Sequence, residues 1–262
     1  MNSDELKVFE SNELIRKSSC SMTLLQQKVL RYLISQIGPY DKPDKIFSVK
    51  VFDVCKACGM NTTDSKTYVQ IVKDIVDEGL TKTLGWLNGE EQLAWLRNEV
   101  KIVNGIMYYQ YHPIVQPHLF ELKEKFTGYQ LLNVLYLQSK HAIRLFEILK
   151  SYESLGKCEL EIDDLKKELG VTYKKKKNDP WKEKYPNFYD FDRRVLKPAH
   201  DEINLVCQDF SFSYRVGSRE NRKAKTIIFQ IRPKDPKSEE TRKATEERMR
   251  RSNKANCDDT KK

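Results

Sequence analysis

From residue 187 to about 204, the apolar residues Phe188, Phe191, Val195, Ala199 and Ile203 recur at intervals of three and four. That spacing places them on one face of a helix, as a stripe that needs a core to cover it. The opposite face shows Arg193, Arg194 and Lys197, while Asp201 and Glu202 stand near the C-terminal end. Phosphates would tolerate only the N-terminal half, which is the half that helix-turn-helix proteins insert into a major groove. Two β-forming runs follow. Residues 211–214 alternate polar and aromatic, and residues 226–231 are rich in β-formers. Between them, residues 215–225 carry Arg215, Arg219, Arg222, Lys223 and Lys225 against one acid, Glu220, around Gly217. A reading helix followed by a basic hairpin loop is the arrangement by which a winged helix grips duplex DNA. A surface helix with ordinary solvated charges is the alternative.

The order of elements around that helix occurs twice. In the first half, a helix over 23–37 is followed by a strand over 46–51, a short helix over 53–58, a longer helix over about 63–78 and strands within 92–111. In the second half, a helix over about 139–152 leads to a strand over 158–162, a short helix over 164–169, the helix from 187 and a hairpin over 210–231. Residues 29–33 (VLRYL) lie over 142–146 (AIRLF), and 53–60 (DVCKACGM) over 164–171 (DLKKELGV). Asn104-Gly105, between two apolar runs, predicts a hairpin with a two-residue type I′ turn.

This pattern divides the chain into an N-terminal segment (1–19), a first winged-helix domain (20–124), a second (125–234) and a mobile charged tail (235–262) with room for transient helix. The fold class expected is α+β, mainly α. At 262 residues the chain can bury two cores. Its net charge of +9 is unevenly spread: residues 1–120 hold 14 basic and 14 acidic side chains, but residues 121–234 hold 24 against 17. The excess sits in the half with the basic helix and loop, which points to a polyanion partner for that half and a different task for the first. In the first half, Lys66 and Lys73 share the corresponding helix with Asp64, Asp74, Asp77 and Glu78, a poor surface for phosphate. The run Lys174–Lys177 and then Trp181, Lys182, Lys184 and Tyr185 precede the basic helix. Lysine runs are commonly solvated loops, but lysines interleaved with aromatics beside a reading helix also suit phosphate contacts.

No window has the length of apolar residues that a membrane span needs. The first residues, with Asp4, Glu5, Glu10 and Glu13, do not read as a signal peptide, so a cytoplasmic protein is expected. The six cysteines form no disulfide framework. Cys55 and Cys58 make a CxxC, but no second pair of zinc ligands follows at ordinary spacing, and the repeat sets Cys58 in the place of Leu169, an apolar site before a helix-stopping glycine. Neither metal nor cofactor is expected. Nor is an enzyme: His112, His118, His141 and His200 offer no HxH for a nickase metal, and there is no GxxxxGK[ST] phosphate loop. His112 and His118 read as turn chemistry around Pro113 and Pro117.

Residues 11–15 (SNELI) leading into 24–30 (LLQQKVL), residues 190–199 (DFDRRVLKPA) followed by Glu202-Ile203-Asn204, and the closing 221–223 (NRK) and 228–231 (IFQI) carry a resemblance. Over roughly residues 10–233 the chain resembles the initiator replication proteins of iteron-bearing plasmids, which have two winged-helix domains in tandem. Pro198, costly inside an ordinary helix, matches a proline of that family, whereas Asp192 stands where the family commonly has a basic residue. The resemblance implies binding to repeated origin sites, help in opening an adjacent AT-rich region, recruitment of the host initiator and replicative helicase, and repression of the protein's own gene as a dimer. It implies that Arg193, Arg194 and Lys197 read DNA with support from the hairpin loop, and that the first domain serves dimerisation and secondary DNA contact. A winged-helix transcription regulator with no replication role is the nearest rival.

Overall fold

The computed structural model describes residues 6–60, 65–82, 85–87, 91–173, 178–180, 182–235 and 237–257. The Lys174–Lys177 run and Trp181 lie outside these residues. The chain divides into two compact units, one ending at Leu135 and one spanning Tyr136–Cys257.

The first unit opens with β1 (Lys7–Ser11), α1 (Asn12–Lys17), β2 (Ser18–Cys20) and α2 (Leu24–Ile34). Thr23 starts α2 with a reciprocal capping box to Gln26, satisfying two backbone donors at once. Then come β3 (Phe47–Lys50), α3 (Val51–Ala57), α4 (Ser65–Ile75) with a π-helical turn over Val76–Leu80, β4 (Gly85–Leu87), β5 (Glu91–Leu93), β6 (Lys101–Val103) and β7 (Ile106–Tyr109). The unit closes with β8 (Phe126–Gln130) and α5 (Leu131–Leu135). Its main antiparallel sheet has the order β3-β7-β6, and Asn104 and Gly105 turn β6 into β7 with φ of 51° and 73°, as the dipeptide predicts.

The second unit runs α6 (Lys140–Lys150), β9 (Lys157–Glu161), α7 (Ile162–Glu168), β10 (Thr172–Tyr173), β11 (Lys182–Glu183), α8 (Phe188–Phe191), a π-helical turn (Asp192–Leu196) and α9 (Lys197–Val206). The strands β12 (Phe210–Val216), β13 (Arg219–Glu220), β14 (Lys223–Ala224) and β15 (Thr226–Pro233) precede a last helix, α10 (Glu239–Cys257). Its sheet order, β12-β15-β9, repeats β6-β7-β3 element for element. The core stacks Phe146 of α6 on Phe210, 5.5 Å between centroids, over buried Ile203 and Phe229.

The duplication extends to single hydrogen bonds. At the end of α3, Cys58, Gly59 and Met60 donate to the carbonyls of Val54, Lys56 and Cys55; at the end of α7, Leu169, Gly170 and Val171 donate to those of Leu165, Lys167 and Lys166. Both glycines are left-handed, φ 71° and 66°, which is the requirement of this helix stop and the reason a side chain is avoided there. Cys58 thus occupies a buried cap position equivalent to Leu169. Burial pushes the Cys55 thiol up to about 11 and, as the largest cause, the Cys58 thiol up to about 12. His112 accepts from the Ile114 amide in its turn, and His118 bonds the Ser11 hydroxyl.

Three expectations need correction. Residues 7–20 belong to the first unit, because β1 pairs with β8 across more than a hundred residues of chain and β2 pairs with β4. The buried Glu10 of β1 meets the buried Arg31 of α2, Oε2 to Nε 3.5 Å, and accepts from the Tyr129 hydroxyl at 3.2 Å. The boundary expected at 124/125 moves to 135/136 for the same reason: β8 belongs to β1, and α5 packs on α2. Third, much of the tail is the helix α10, docked on α9 through buried Thr241, Ala244 and Arg248 at steps of three and four. Among the described residues, no helix is long and apolar enough to cross a membrane.

Glu10→Ala would leave the Arg31 guanidinium buried without its carboxylate. It is expected to destabilise the first unit by about 3 kcal/mol or more, read from the denaturant midpoint; a loss below about 1 kcal/mol would mean the pair acts like an exposed one. For the CxxC, a chelator is expected to leave thermal melting unchanged and the purified protein to hold no stoichiometric zinc. Metal content near one per chain would refute the capping role of Cys58.

Candidate nucleic-acid interface

The basic helix begins at Asn187, whose side-chain oxygen accepts from the Asp190 amide at 2.8 Å. The segment before it is pinned by Lys166, a buried lysine of α7. Its ammonium bonds the Tyr185 carbonyl at 2.7 Å, pairs with Glu183 and lies 5.4 Å from the Phe191 ring centroid. α8, the π-helical turn and α9 then run on as one helical segment over 188–206. Of the expected stripe, Phe191, Val195, Ala199 and Ile203 are buried and Phe188, in the first turn, is half-buried; Leu196 and Val206 extend the buried face, and Arg193, Arg194 and Lys197 are exposed.

The π-helical turn accounts for Pro198. In an α-helix its ring would press on the carbonyl of Arg194 and its missing N–H would break the ladder. Here the Lys197 amide reaches back to Asp192 instead, so Pro198 enters in the first turn of α9, where no N–H is required. Asp192 also has a structural use that excludes a basic residue: its Oδ1 accepts from the Tyr214 hydroxyl of β12 at 2.6 Å. Burial first, then Asp192, raises the Tyr214 phenol well above its ordinary value, so it stays a donor. His200 packs edge-on against Phe212 and Tyr214 between the same two elements.

The hairpin expected over 210–231 is present, ending at Pro233, with a narrower ladder at its tip. Gly217 donates to Thr226, and β13 pairs with β14 through Arg219↔Ala224 and Glu220↔Lys223. Asn221 and Arg222 form the turn with φ of 48° and 66°. A left-handed arginine costs about 1 kcal/mol relative to glycine, and its effect is to hold a guanidinium at the outermost point of the hairpin.

The expected contact residues separate by their partners. Arg193, Arg222, Lys223, Lys182 and Lys184 are exposed and have no carboxylate in ion-pair range among the described residues. Arg215 and Arg219 are exposed and donate only to carbonyls, of Val216 at 3.5 Å and Arg222 at 3.4 Å. Arg194 lies 3.9 Å from Asp190, and Lys197 pairs with Asp201 at 3.0 Å. Lys225 lies between Glu161 and Glu220, which raise its ammonium above the ordinary value, Glu161 more strongly. Lys184 and Arg194 both approach the Tyr185 ring, at 5.4 and 6.0 Å, which joins the segment before the helix to its basic face. Sequence reasoning missed the polar side chains that bond this helix or the segment before it: Lys166 to the Tyr185 carbonyl, Asn204 to Phe212, Lys234 to the Asn204 carbonyl and Arg248 to the Val206 carbonyl. Only Asn204, polar at the inner edge of an apolar stripe, carried a visible signal.

In the first unit, α4 and its π-helical turn expose Lys66 and Lys73 with Asp74, Asp77 and Glu78; Asp64, also expected on this surface, lies outside the described residues. Exposed arginines on a helix backed by a core can reach guanine edges bidentately, and unpaired cations on a projecting hairpin can meet phosphates.

The family model described as Initiator Replication protein, WH1, matches residues 7–150, and that described as Initiator Rep protein, WH2, matches residues 161–231. The PI protein of Escherichia coli is 28% identical over 152 residues, 55% of this chain; the match spans about half of that relative's length, 48%. A crystal structure of the Pi initiator protein in complex with iteron DNA has a TM-score of 0.70 and 21% identity, covering 88% of this chain and 99% of that one, a likeness of fold. The WH1 model alone takes in more than half of the residues and WH2 follows in the order of the two units, so the chain belongs to the initiator replication protein family and consists of two winged-helix domains.

Proposed function

We propose that this protein initiates plasmid replication by binding repeated sites, iterons, in an origin. The observation that carries the reading is the second-unit helix: its apolar face is buried, its N-terminal half presents exposed Arg193, Arg194 and Lys197, and the hairpin that follows it exposes Arg222 and Lys223 at its tip. The related Pi initiator is bound to iteron DNA in its crystal structure. In this reading Arg193 and Arg194 contact base edges. Lys197, Lys182, Lys184, Arg215, Arg219, Arg222, Lys223 and Lys225 contact phosphates, Lys225 least because two carboxylates already hold it. The protein works in the cytoplasm, promotes opening of AT-rich DNA next to the iterons, and recruits the host initiator and the replicative helicase. As a dimer it represses its own gene. The first unit supplies the dimer contact, for which β6 at the open edge of its sheet, with exposed Val103, offers a strand to extend.

Replacing Arg193 or Arg194 by alanine is expected to cost about 1 to 3 kcal/mol of specific binding and to relax base preference. Arg222→Ala and Lys223→Ala should instead weaken binding to all duplexes and lower the log–log salt slope by about one unit per lost phosphate contact. Lys225→Ala should change the slope less. Wild-type salt slopes in the hairpin variants would remove the hairpin from the interface. Footprinting on the intergenic DNA of the protein's own plasmid tests the function: direct repeats beside an AT-rich tract are expected, and a lone palindrome would make the protein a transcription regulator.

A further inference from the structure

The helix α10 lies beyond both matched family regions, which end at residue 231, and it is docked on the far end of the basic helix. A helix ends with carbonyls that have no partner in its own ladder. At the end of α9 two buried cations take them up. The Lys234 ammonium, just after β15, donates to the carbonyls of Asn204 and Cys207 at 2.7 and 2.8 Å. From α10, Arg248 Nε donates to the Val206 carbonyl at 2.7 Å and its Nη1 to Gln208 Oε1 at 2.9 Å. Arg248 is only 4% exposed, and its guanidinium lies 5.5 Å from the centroid of Tyr136, the first residue of the unit. The Gln208 amide closes the arrangement by donating to Thr245 of α10 at 2.7 Å. Ala244, fully buried, lets the two helices approach.

A buried arginine is expensive unless its donors are used. Here they are spent on the end of one helix and on the turn that leads from it into β12. Cations at a helix C-terminus also interact favourably with its dipole. The residues of the basic face stand two to three turns nearer the N-terminus. We propose that α10 braces the basic helix, and that Arg248 is a positioning residue for sequence discrimination. The proposal rests on that helix being the element that reads bases. A braced helix holds Arg193 and Arg194 in one orientation in the groove, whereas phosphate contacts, being long-range and tolerant, depend on it far less.

The test uses the full-length chain and duplexes that the wild-type protein selects from a randomised pool, compared with scrambled duplexes of the same composition. Arg248→Ala and Ala244→Glu, which displaces α10 without removing the guanidinium, are expected to lower the selected-to-scrambled affinity ratio by about tenfold, the discrimination carried by one base pair. The salt slope should stay at the wild-type value. Arg248→Lys, whose ammonium still reaches one carbonyl, should recover part of the ratio. A variant that melts earlier but discriminates like wild type would overturn the proposal, since α10 would then add stability alone. A wild-type protein that selects no sequence would overturn the base-reading assignment itself, and the brace with it.

Discussion

The Asn204 side chain takes the place of a β-strand. Its amide donates to the Phe212 carbonyl at 2.9 Å and its oxygen accepts from the Phe212 amide at 2.9 Å, the pair of bonds a neighbouring strand would make. Strand β12 is the edge of its sheet, so this backbone would otherwise be open to water or to another chain. The same contact ties the basic helix to the strand that leads into the hairpin. Asp192 repeats the tie three turns earlier through Tyr214. With both contacts made, the helix is held against rotation about its axis relative to β12. Its polarity follows. The C-terminal half is occupied with the sheet, Lys234 and Arg248, and only the N-terminal half is left to meet a ligand.

The two units share this frame and differ in what they place on it. Both have the same sheet order, the same helix stop before a left-handed glycine, and a buried arginine at matching positions of the first long helix, Arg31 and Arg144. The arginines find different partners: Arg31 takes Glu10 from a strand that only the first unit possesses, while Arg144 takes Glu147 of its own helix at 2.8 Å. A buried guanidinium must be paired, but the partner is free to come from anywhere in the fold. The surfaces diverge further, as the net charges of the two halves do. A frame held by backbone bonds and buried pairs leaves exposed helix faces open to change, which is how one unit can present cations and the other a mixed surface.

What was legible in the sequence is what local chemistry dictates. The stripe from Phe188 to Ile203, the Asn104-Gly105 turn and the paired glycine stops each depend on neighbours within a few residues, and each is found where expected save that Phe188 is only half-buried. The N-terminal strand was not legible, because its partner lies more than a hundred residues away and its key side chain, Glu10, is a buried acid rather than an apolar residue. The docking of α10 was hidden for a related reason. Its inner face is Thr241, Ala244 and Arg248, so a segment without an aliphatic stripe reads as solvated tail. Within the candidate site, exposure of Arg193, Arg194 and Lys197 followed from the stripe. Which cations lack a carboxylate partner did not, because Glu161 reaches Lys225 across the sheet from β9.

One structural feature was written in the sequence more plainly than the periodicity alone suggests. Phe191, Val195, Ala199 and Ile203 are separated by four, four and four. Each such step overshoots an α-helical turn by about 40°, so three steps would carry Ile203 about 120° from Phe191, toward the edge of the core face. A π-helical turn absorbs one extra residue, about 100° of that drift. The first unit has a π-helical turn in the corresponding helix, at Val76–Leu80, where Val76, Gly79 and Leu80 are buried. The equivalent helices of the two units therefore contain the same kind of turn, and in the second unit Pro198 follows one residue after it. The wide turn thus keeps the stripe narrow. It also sets which side of the helix Arg193 and Arg194 occupy, since both lie inside it.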